Sequence, residues 1–522
     1  MPILPLLLLL GTLYIITQIY QTLIHTPLHH IPGPTLFALT KWRLAYQDLR
    51  GTRTRYVNQL HEKYGAVVRI GPAEVSFNSL SALRAIYGAG TAFQRDAFYR
   101  MFDVYGRRVM FSFAGGVEHR DRKKLLNHAF SKTSILSAGN IALVEEKVSQ
   151  FMSLIKNEAT TEGAMEIFTA LHYFSLDTIT AFLYGRSSAG ATSALESISS
   201  QHRSLLDDIL DPARRRLSWF TIHCPALTNW LYAQNGLLGS ILESLHLLPM
   251  QKPATYSGIR THALNAIESL NKIPAETLDA NDSIAGRLLF AARKTDSQLD
   301  YIDVAAECAD HLLAGIDTTS DTLMWAIYAL SQPEHRIFQD NLRAEISSLD
   351  EGCITPEGIV NATAADKLPY FDAVIKETLR LFAPLPGTEP RWSGRDEIID
   401  GFRIPARTVV TMSPYTLHRN PEVFTDPGKF NPDRWLGRPE DVAEMKRWFW
   451  AFSSGGRMCI GMHLAMAEMT TLLASVYRVY TTDIMSGFEG VSPGVTARYE
   501  VFSDERFTRV EEHVCWVRFT EG

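Results

Sequence analysis

A single cysteine stands among glycines in Phe452-Ser453-Ser454-Gly455-Gly456-Arg457-Met458-Cys459-Ile460-Gly461. Cysteine does chemistry as a thiolate, which needs amide donors, a positive field and a backbone able to approach it closely. Gly455, Gly456 and Gly461 permit a tight turn. The run Gly461 to Ser475 carries Leu464, Met466, Met469, Leu472 and Leu473 at the spacing of a buried helix. Its first amides and the positive end of its dipole would face the sulfur. A thiolate so placed can ligate a metal, and Arg457 would project away from it toward a carboxylate at the edge of a bound macrocycle. A second group is Ala314-Gly315-Ile316-Asp317-Thr318-Thr319, at the centre of a helical pattern over Tyr301 to Ser331. Glycine and the Asp-Thr-Thr cluster are modest helix formers whose side chains can bond the preceding turn, so a kink or widened turn is expected there. Leu312, Leu313, Leu323, Met324 and Trp325 flank the cluster and argue for burial. A buried acid beside two hydroxyls makes a proton path. In a third place Glu377 and Arg380 share one face of a helix over Phe371 to Phe382.

Phe452, Gly455, Arg457, Cys459 and Gly461 complete the pattern F-x-x-G-x-R-x-C-x-G, which resembles the haem-binding loop of the cytochrome P-450 monooxygenases. Ala314, Gly315, Asp317 and Thr318 are similar to that family's oxygen-binding helix motif, and Glu377 and Arg380 match its E-x-x-R. Phe430-Asn431-Pro432-Asp433-Arg434-Trp435 matches its later F-x-P-x-R segment, with Asp433 where glutamate is more usual. The resemblance implies Cys459 as axial ligand of the iron of haem b, in a loop shaped by Phe452, Gly455, Arg457 and Gly461. It implies Asp317 and Thr318 as the groups that deliver protons to bound oxygen, and Glu377, Arg380 and Arg434 as a buried structural network. His119, Lys123 and Arg391 are implied to reach the haem propionates, with His418 a further candidate. At His119 and Lys123 the family's usual tryptophan and arginine are replaced.

The elements that must position these groups follow from composition and pattern. With 522 residues, 46% hydrophobic and 10% aromatic, the chain can bury a large core and a cofactor. A net charge of -6, from 51 basic and 57 acidic residues, offers no dominant basic field and argues against nucleic acid as the main partner. Five widely spaced cysteines contain no C-x-x-C pair and suggest a reducing compartment. Residues 1–40 contain no charged side chain, and Ile3 to Ile24 is rich in leucine and isoleucine. Residues 1–26 therefore read as a membrane anchor, with an interfacial helix or a cleaved signal peptide as the alternatives, 27–40 with Ile31-Pro32-Gly33-Pro34 as a proline-rich hinge, and 41–522 as one catalytic domain. Lys41, Arg43, Arg50, Arg53 and Arg55 after the anchor would keep that side in the cytosol. Val67 to Pro72 and Glu74 to Phe77 read as short strands, Glu118 to Ser131 as a basic helix, and Ile141 to Leu270 as mostly helical. The sequons at Asn281 and Asn361 read as chance matches on a cytosolic body.

The expected fold is mainly α with a minor β region, the cytochrome P-450 fold preceded by a single N-terminal membrane helix at the endoplasmic reticulum. The implied reaction inserts one atom of dioxygen into a hydrophobic small molecule, in the manner of fungal enzymes that tailor secondary metabolites. Leu385 to Thr388 and the aromatic stretch Tyr99 to Phe113 are expected to line the substrate cavity. No G-x-G-x-x-G follows a strand, so electrons are expected from a separate NADPH-cytochrome reductase, with cytochrome b5 as a second donor. Arg434, Lys446 and Arg447 are the candidate docking charges for that acidic partner. Two other classes fit less well: a haem-thiolate isomerase or dehydratase that does not use dioxygen, and a non-enzymatic membrane-tethered haem-binding protein.

Overall fold

A computed structural model of the chain describes residues 3–159, 163–185, 190–196, 201–211, 213–234, 236–248, 258–274, 283–294, 299–498 and 500–522. Asn281 lies outside these residues. Helices dominate, among them α1 (Ile3–Tyr20), α2 (Gly116–Leu126), α3 (Ala138–Glu158), α4 (Ile167–Tyr184), α5 (Tyr301–Leu330), α6 (Pro369–Leu381) and α7 (Met462–Val479). The minor β region contains a five-stranded sheet of β1 (Val67–Gly71), β2 (Glu74–Phe77), β3 (Gln94–Arg95), β4 (Arg391–Trp392) and β5 (Val409–Thr411), in the order β1-β2-β5-β4-β3. Only β2 and β5 run parallel. The mainly helical reading and both N-terminal strands therefore hold.

The core is organised around α5. A reciprocal cap starts it, the Asp303 amide donating to Asp300 Oδ1 (2.8 Å) and the Asp300 amide to Asp303 Oδ2 (3.0 Å). Its N-terminal half packs with α4 in one apolar cluster, and its C-terminal half with α3, α6 and α7 in another. The expected break at Gly315 does not occur: α5 is unbroken α-helix through the Asp-Thr-Thr cluster. Thr318 Oγ1 donates to Ala314 O (2.7 Å), Ser320 Oγ to Ile316 O (2.7 Å) and Thr322 Oγ1 to Thr318 O (2.7 Å). These hydroxyls thus bond the preceding turn and leave the backbone ladder intact. Gly315 serves packing instead, because a Cβ there would lie 2.7 Å from Ile179 Cγ1 on α4.

At the N-terminus α1 ends at Tyr20 and continues as a widened turn over Gln21–His25. Among the described residues no helix is long and apolar enough to cross a membrane, so the spanning helix expected from Ile3 to Ile24 is not found. The following Ile31-Pro32-Gly33-Pro34 stretch lies against β1: Leu28 and Ile31 are buried, and the Arg69 amide donates to Pro32 O (2.7 Å). Asn361 caps a short helix, accepting from the Thr363 amide and donating to Glu145 (both 2.9 Å).

Candidate functional site

The cysteine loop is held at both ends. At its start the Trp450 amide donates to His418 Nε2 (2.8 Å) and the Trp450 indole to Ser454 Oγ (3.0 Å). At its end the Cys459 amide donates to Phe452 O (2.9 Å). Gly455, at φ +62°, lies so near Tyr87 that an added Cβ would sit 2.4 Å from the Tyr87 carbonyl oxygen. Only glycine fits there. Gly461 precedes the first residue of α7, and the Cys459 sulfur takes amide hydrogen bonds from Gly461 and Met462. Burial pushes the thiol up, while those amides and Lys123 oppose the rise. Yet Cys459 is the one exposed cysteine of the five. Cys459 thus keeps surface that a ligand can reach. On the other side of the loop Phe452 helps to line a separate cavity of about 230 Å³, with Lys132, Lys376, Met462 and His463.

Cations gather around Arg457. Arg457 reaches the segment before α2, donating to Phe113 O (3.0 Å), Ala114 O (3.1 Å) and Gly115 O (2.7 Å). Burial, then Arg95 and Arg391, pull it down to about 9. Arg391 donates to Tyr99 Oη (2.6 Å) and Glu389 Oε2 (3.0 Å) and lies over the Tyr87 ring. Arg95 is buried and donates to the Met110 and Phe111 carbonyls, while its Nε has no partner. His119 is driven down to about 3 by burial, then by Arg457, Arg95 and Lys123, and so stays neutral beside them. Three arginines share one nearby carboxylate ion pair, from Glu389 to Arg391, and the surplus charge suits an anion with two carboxylates. Nothing in the local pattern distinguishes Arg95 among 51 basic residues, and sequence reasoning passes over it.

Two further candidates for the propionates also bond backbone. Lys123, near the end of α2, donates to Gly456 O (3.1 Å) and Met458 O (3.3 Å), which fastens the cysteine loop. His418 joins Arg380 O through Nδ1 (3.1 Å) to the Trp450 amide through Nε2, so both ring nitrogens are spent on backbone. It is a strut between α6 and the cysteine loop.

That strut begins at the network foreseen from the sequence. Glu377 Oε2 and Oε1 accept from Arg380 Nε (2.9 Å) and Nη2 (2.8 Å), and Arg434 Nε donates to Oε1 (3.1 Å). The Asn431 amide (2.9 Å) and the Trp435 indole (3.0 Å) also donate to Glu377. Burial alone would raise the Glu377 carboxyl, but Arg380 and Arg434 outweigh it and hold it below the usual range. Arg434 is therefore committed to Glu377 and to Thr425 O (2.7 Å), not available for docking, and Arg447 pairs with Glu444 (2.5 Å).

On α5 the accessible positions form one stripe. Between Val304 and Thr322 the positions that keep accessible surface are Asp310, Leu313, Ala314, Gly315, Asp317 and Thr318. They fall on one helix face. Asp317 and Thr318 lie on this face. Behind them Glu468 of α7 is buried against Thr319 and is raised to about 8 by burial. Asp321 is buried facing His172 at 3.8 Å.

The family model for cytochrome P450 matches residues 31–490. The chain belongs to the cytochrome P450 family. It is similar along nearly its whole length to fungal members. The cytochrome P450 monooxygenase tazI of Aspergillus terreus is 28% identical, with 91% of each chain covered. An N-acetyltryptophan 6-hydroxylase of Emericella nidulans is 29% identical, covering 91% of this chain and 90% of its own. A tryptophan 6-hydroxylase of Fusarium equiseti is 28% identical, covering 92% and 91%. The chain is accordingly a haem-thiolate monooxygenase, whose kind works with a redox partner, dioxygen and a small-molecule substrate. The residues present fit the haem: an exposed cysteine bonded by helix-start amides lies beside buried arginines whose charge, and whose orphaned Arg95 Nε, call for carboxylates.

Proposed function

We propose that this cytochrome P450 inserts one atom of dioxygen into a hydrophobic, aromatic small molecule in fungal secondary-metabolite biosynthesis, the second atom leaving as water. The observation that carries the reading is Cys459, which keeps exposed surface while its sulfur is bonded by the Gly461 and Met462 amides. Cys459 would hold the haem, with Arg95, Arg391, Arg457 and neutral His119 at its propionates. The sequence carries no C-x-x-C-H pattern for thioether attachment, in keeping with haem b. When bound, it supplies the redox centre at which the O–O bond is split.

The chain's own part is to position substrate and move protons. Each oxygen inserted takes two electrons and two protons. Asp317 hands protons inward from the edge of the stripe, and Thr318 Oγ1 releases Ala314 O to donate into the cavity. Ala314, the most accessible position of the stripe, leaves room for the reacting carbon. Leu385, 44% exposed, and the half-buried Phe102 and Phe111 offer apolar contact. Two relatives are named for hydroxylating tryptophan or its N-acetyl form, which makes indoles the first substrates to screen.

Electrons come from a separate NADPH-cytochrome reductase, with cytochrome b5 as an alternate donor. Residues 1–26 attach the body, 41–522, to the cytosolic side of the endoplasmic reticulum membrane through the stretch 27–40. Leu9, Leu10, Leu13, Tyr14, Ile16 and Ile19 of α1 are exposed and supply the apolar contact with lipid. The proton-handling role is tested by Thr318→Ala: product formed per NADPH consumed should fall several-fold while substrate affinity stays within about twofold. Unchanged coupling would overturn it.

A further inference from the structure

Behind the accessible stripe α5 carries a second acid. Asp321 follows Asp317 by four residues, so the two carboxyls share a helix face about 6 Å apart along the axis, Asp317 half-buried and Asp321 buried. Among the described residues the Asp321 carboxyl makes no hydrogen bond, and its Oδ1 faces His172 Nε2 of α4 at 3.8 Å. The neighbouring hydroxyls are committed, Ser320 Oγ to Ile316 O and Thr322 Oγ1 to Thr318 O (both 2.7 Å). His172 is equally enclosed. Its Nδ1 bonds Phe168 O (2.7 Å), which can only accept, so Nδ1 carries the ring proton and Nε2 turns a lone pair toward Asp321. Burial drives His172 down to about 4, against the pull of Phe168 O, so the ring is neutral. Burial, then Asp317, pushes Asp321 the other way and favours its protonated carboxyl. An acid with a proton to give thus meets a base with a lone pair, and one shared proton leaves the pair neutral whichever partner holds it.

We infer that Asp321 and His172 form a proton store behind Asp317. Insertion of one oxygen atom consumes two protons, and both end in the water formed from the second atom. Asp317 supplies the first by breaking its own O–H bond. The carboxylate so formed takes the proton of Asp321, one turn further along α5, and passes it on. Two O–H bonds therefore break in sequence without a proton drawn from solvent between them. The two charges left one turn apart repel, and protons return through the accessible Asp317 to reload both carboxyls. The electrons are those of the reductase, and the store adds none. This inference rests on the monooxygenase reading above and adds the source of its second proton.

The test drives the haem-loaded full chain with two oxidants, using the first indole that the wild type oxidises. With NADPH, reductase and dioxygen both protons must be delivered, whereas hydrogen peroxide brings oxygen, electrons and protons together. Asp321→Asn should lower product per NADPH consumed by at least about three-fold and leave the peroxide-driven rate within about twofold. His172→Leu, on the other helix, removes the base and should shift the coupling in the same direction, and it carries the comparison if Asp321→Asn does not fold. An equal loss with both oxidants marks a structural role and overturns the inference, as does unchanged coupling. A readout independent of turnover is the infrared spectrum of the resting protein at neutral pH. The wild type should show a protonated-carboxyl band that shifts in D₂O and is missing from Asp321→Asn; identical spectra overturn the store. A wild type that oxidises no substrate while the band is lost in Asp321→Asn removes the monooxygenase reading and with it the store's role.

Discussion

Replacing Glu377 by alanine removes the acceptor of five hydrogen bonds at once: two from Arg380, one each from Arg434, the Asn431 amide and the Trp435 indole. Both Glu377 and Arg380 are fully buried, so no water replaces the lost carboxylate. Removing one partner of a buried ion pair costs about 3–5 kcal/mol. Each orphaned buried donor adds about 1–3 kcal/mol. The loss is comparable to the whole stability of a protein, about 5–15 kcal/mol. Because Arg380 also holds His418 O (3.0 Å), and His418 holds Trp450 at the start of the cysteine loop, the damage reaches the haem site. The expected outcome for Glu377→Ala is little soluble protein and, in what is recovered, haem per chain well below half of wild type, read by absorbance against protein concentration. Glu377→Gln keeps the shape and loses the charge, and should fall between. The two arginines hold the Glu377 carboxyl below its usual value of 4.5, so its contribution is complete above that pH and is lost as pH falls through the lower folded value. Haem release on acidification should therefore begin at higher pH in Glu377→Gln than in wild type. A Glu377→Ala protein that binds a full complement of haem would refute the reasoning.

Four further outcomes follow from particular contacts. Gly455→Ala places a Cβ 2.4 Å from Tyr87 O at φ +62°, whereas Gly456→Ala meets nothing within 4 Å; haem content should drop in the first and hold in the second. Gly315→Ala drives a Cβ against Ile179 and should cost about 1–3 kcal/mol of stability, read as a lower thermal midpoint; combined with Ile179→Ala, the two losses should fall short of their sum in a double-mutant cycle. Burial raises the Glu468 carboxyl to about 8, so the folded state holds a proton that the unfolded state loses near 4.5, and stability falls as pH rises between those values. The thermal midpoint of Glu468→Gln relative to wild type should accordingly increase from pH 5 to pH 8. A chain of residues 27–522 should leave the membrane fraction of lysed cells that retains the full chain, and equal distribution of the two would remove residues 1–26 as the attachment.

Much of the site is legible because its residues sit close together in the chain. Cys459, Gly455 and Gly461 stand in one short run, and Glu377 and Arg380 one helical turn apart, so their resemblance to the family's motifs can be read locally. Long-range contacts are not written in that way. Arg95 acquires meaning only when the fold sets it beside Arg391 and Arg457, and it stands in no local pattern. Gly315 looks like a helix breaker until Ile179 of α4 shows why no side chain is allowed. His418 and Lys123 also bond backbone carbonyls and amides from other segments, which no local pattern announces. The apolar N-terminus illustrates the reverse case, since a composition suited to lipid does not itself provide a regular helix long enough to cross it.

The central claim is that one oxygen atom of the product comes from dioxygen. Cells with and without this chain, grown under ¹⁸O₂ and then in H₂¹⁸O, can be compared by mass spectrometry for the compound that vanishes and the one that accumulates. The account predicts a product one oxygen atom heavier than its precursor, labelled from ¹⁸O₂ and not from water. A product that is an isomer of the precursor, or differs from it by water, would contradict the account and place the chain with the haem-thiolate isomerases and dehydratases.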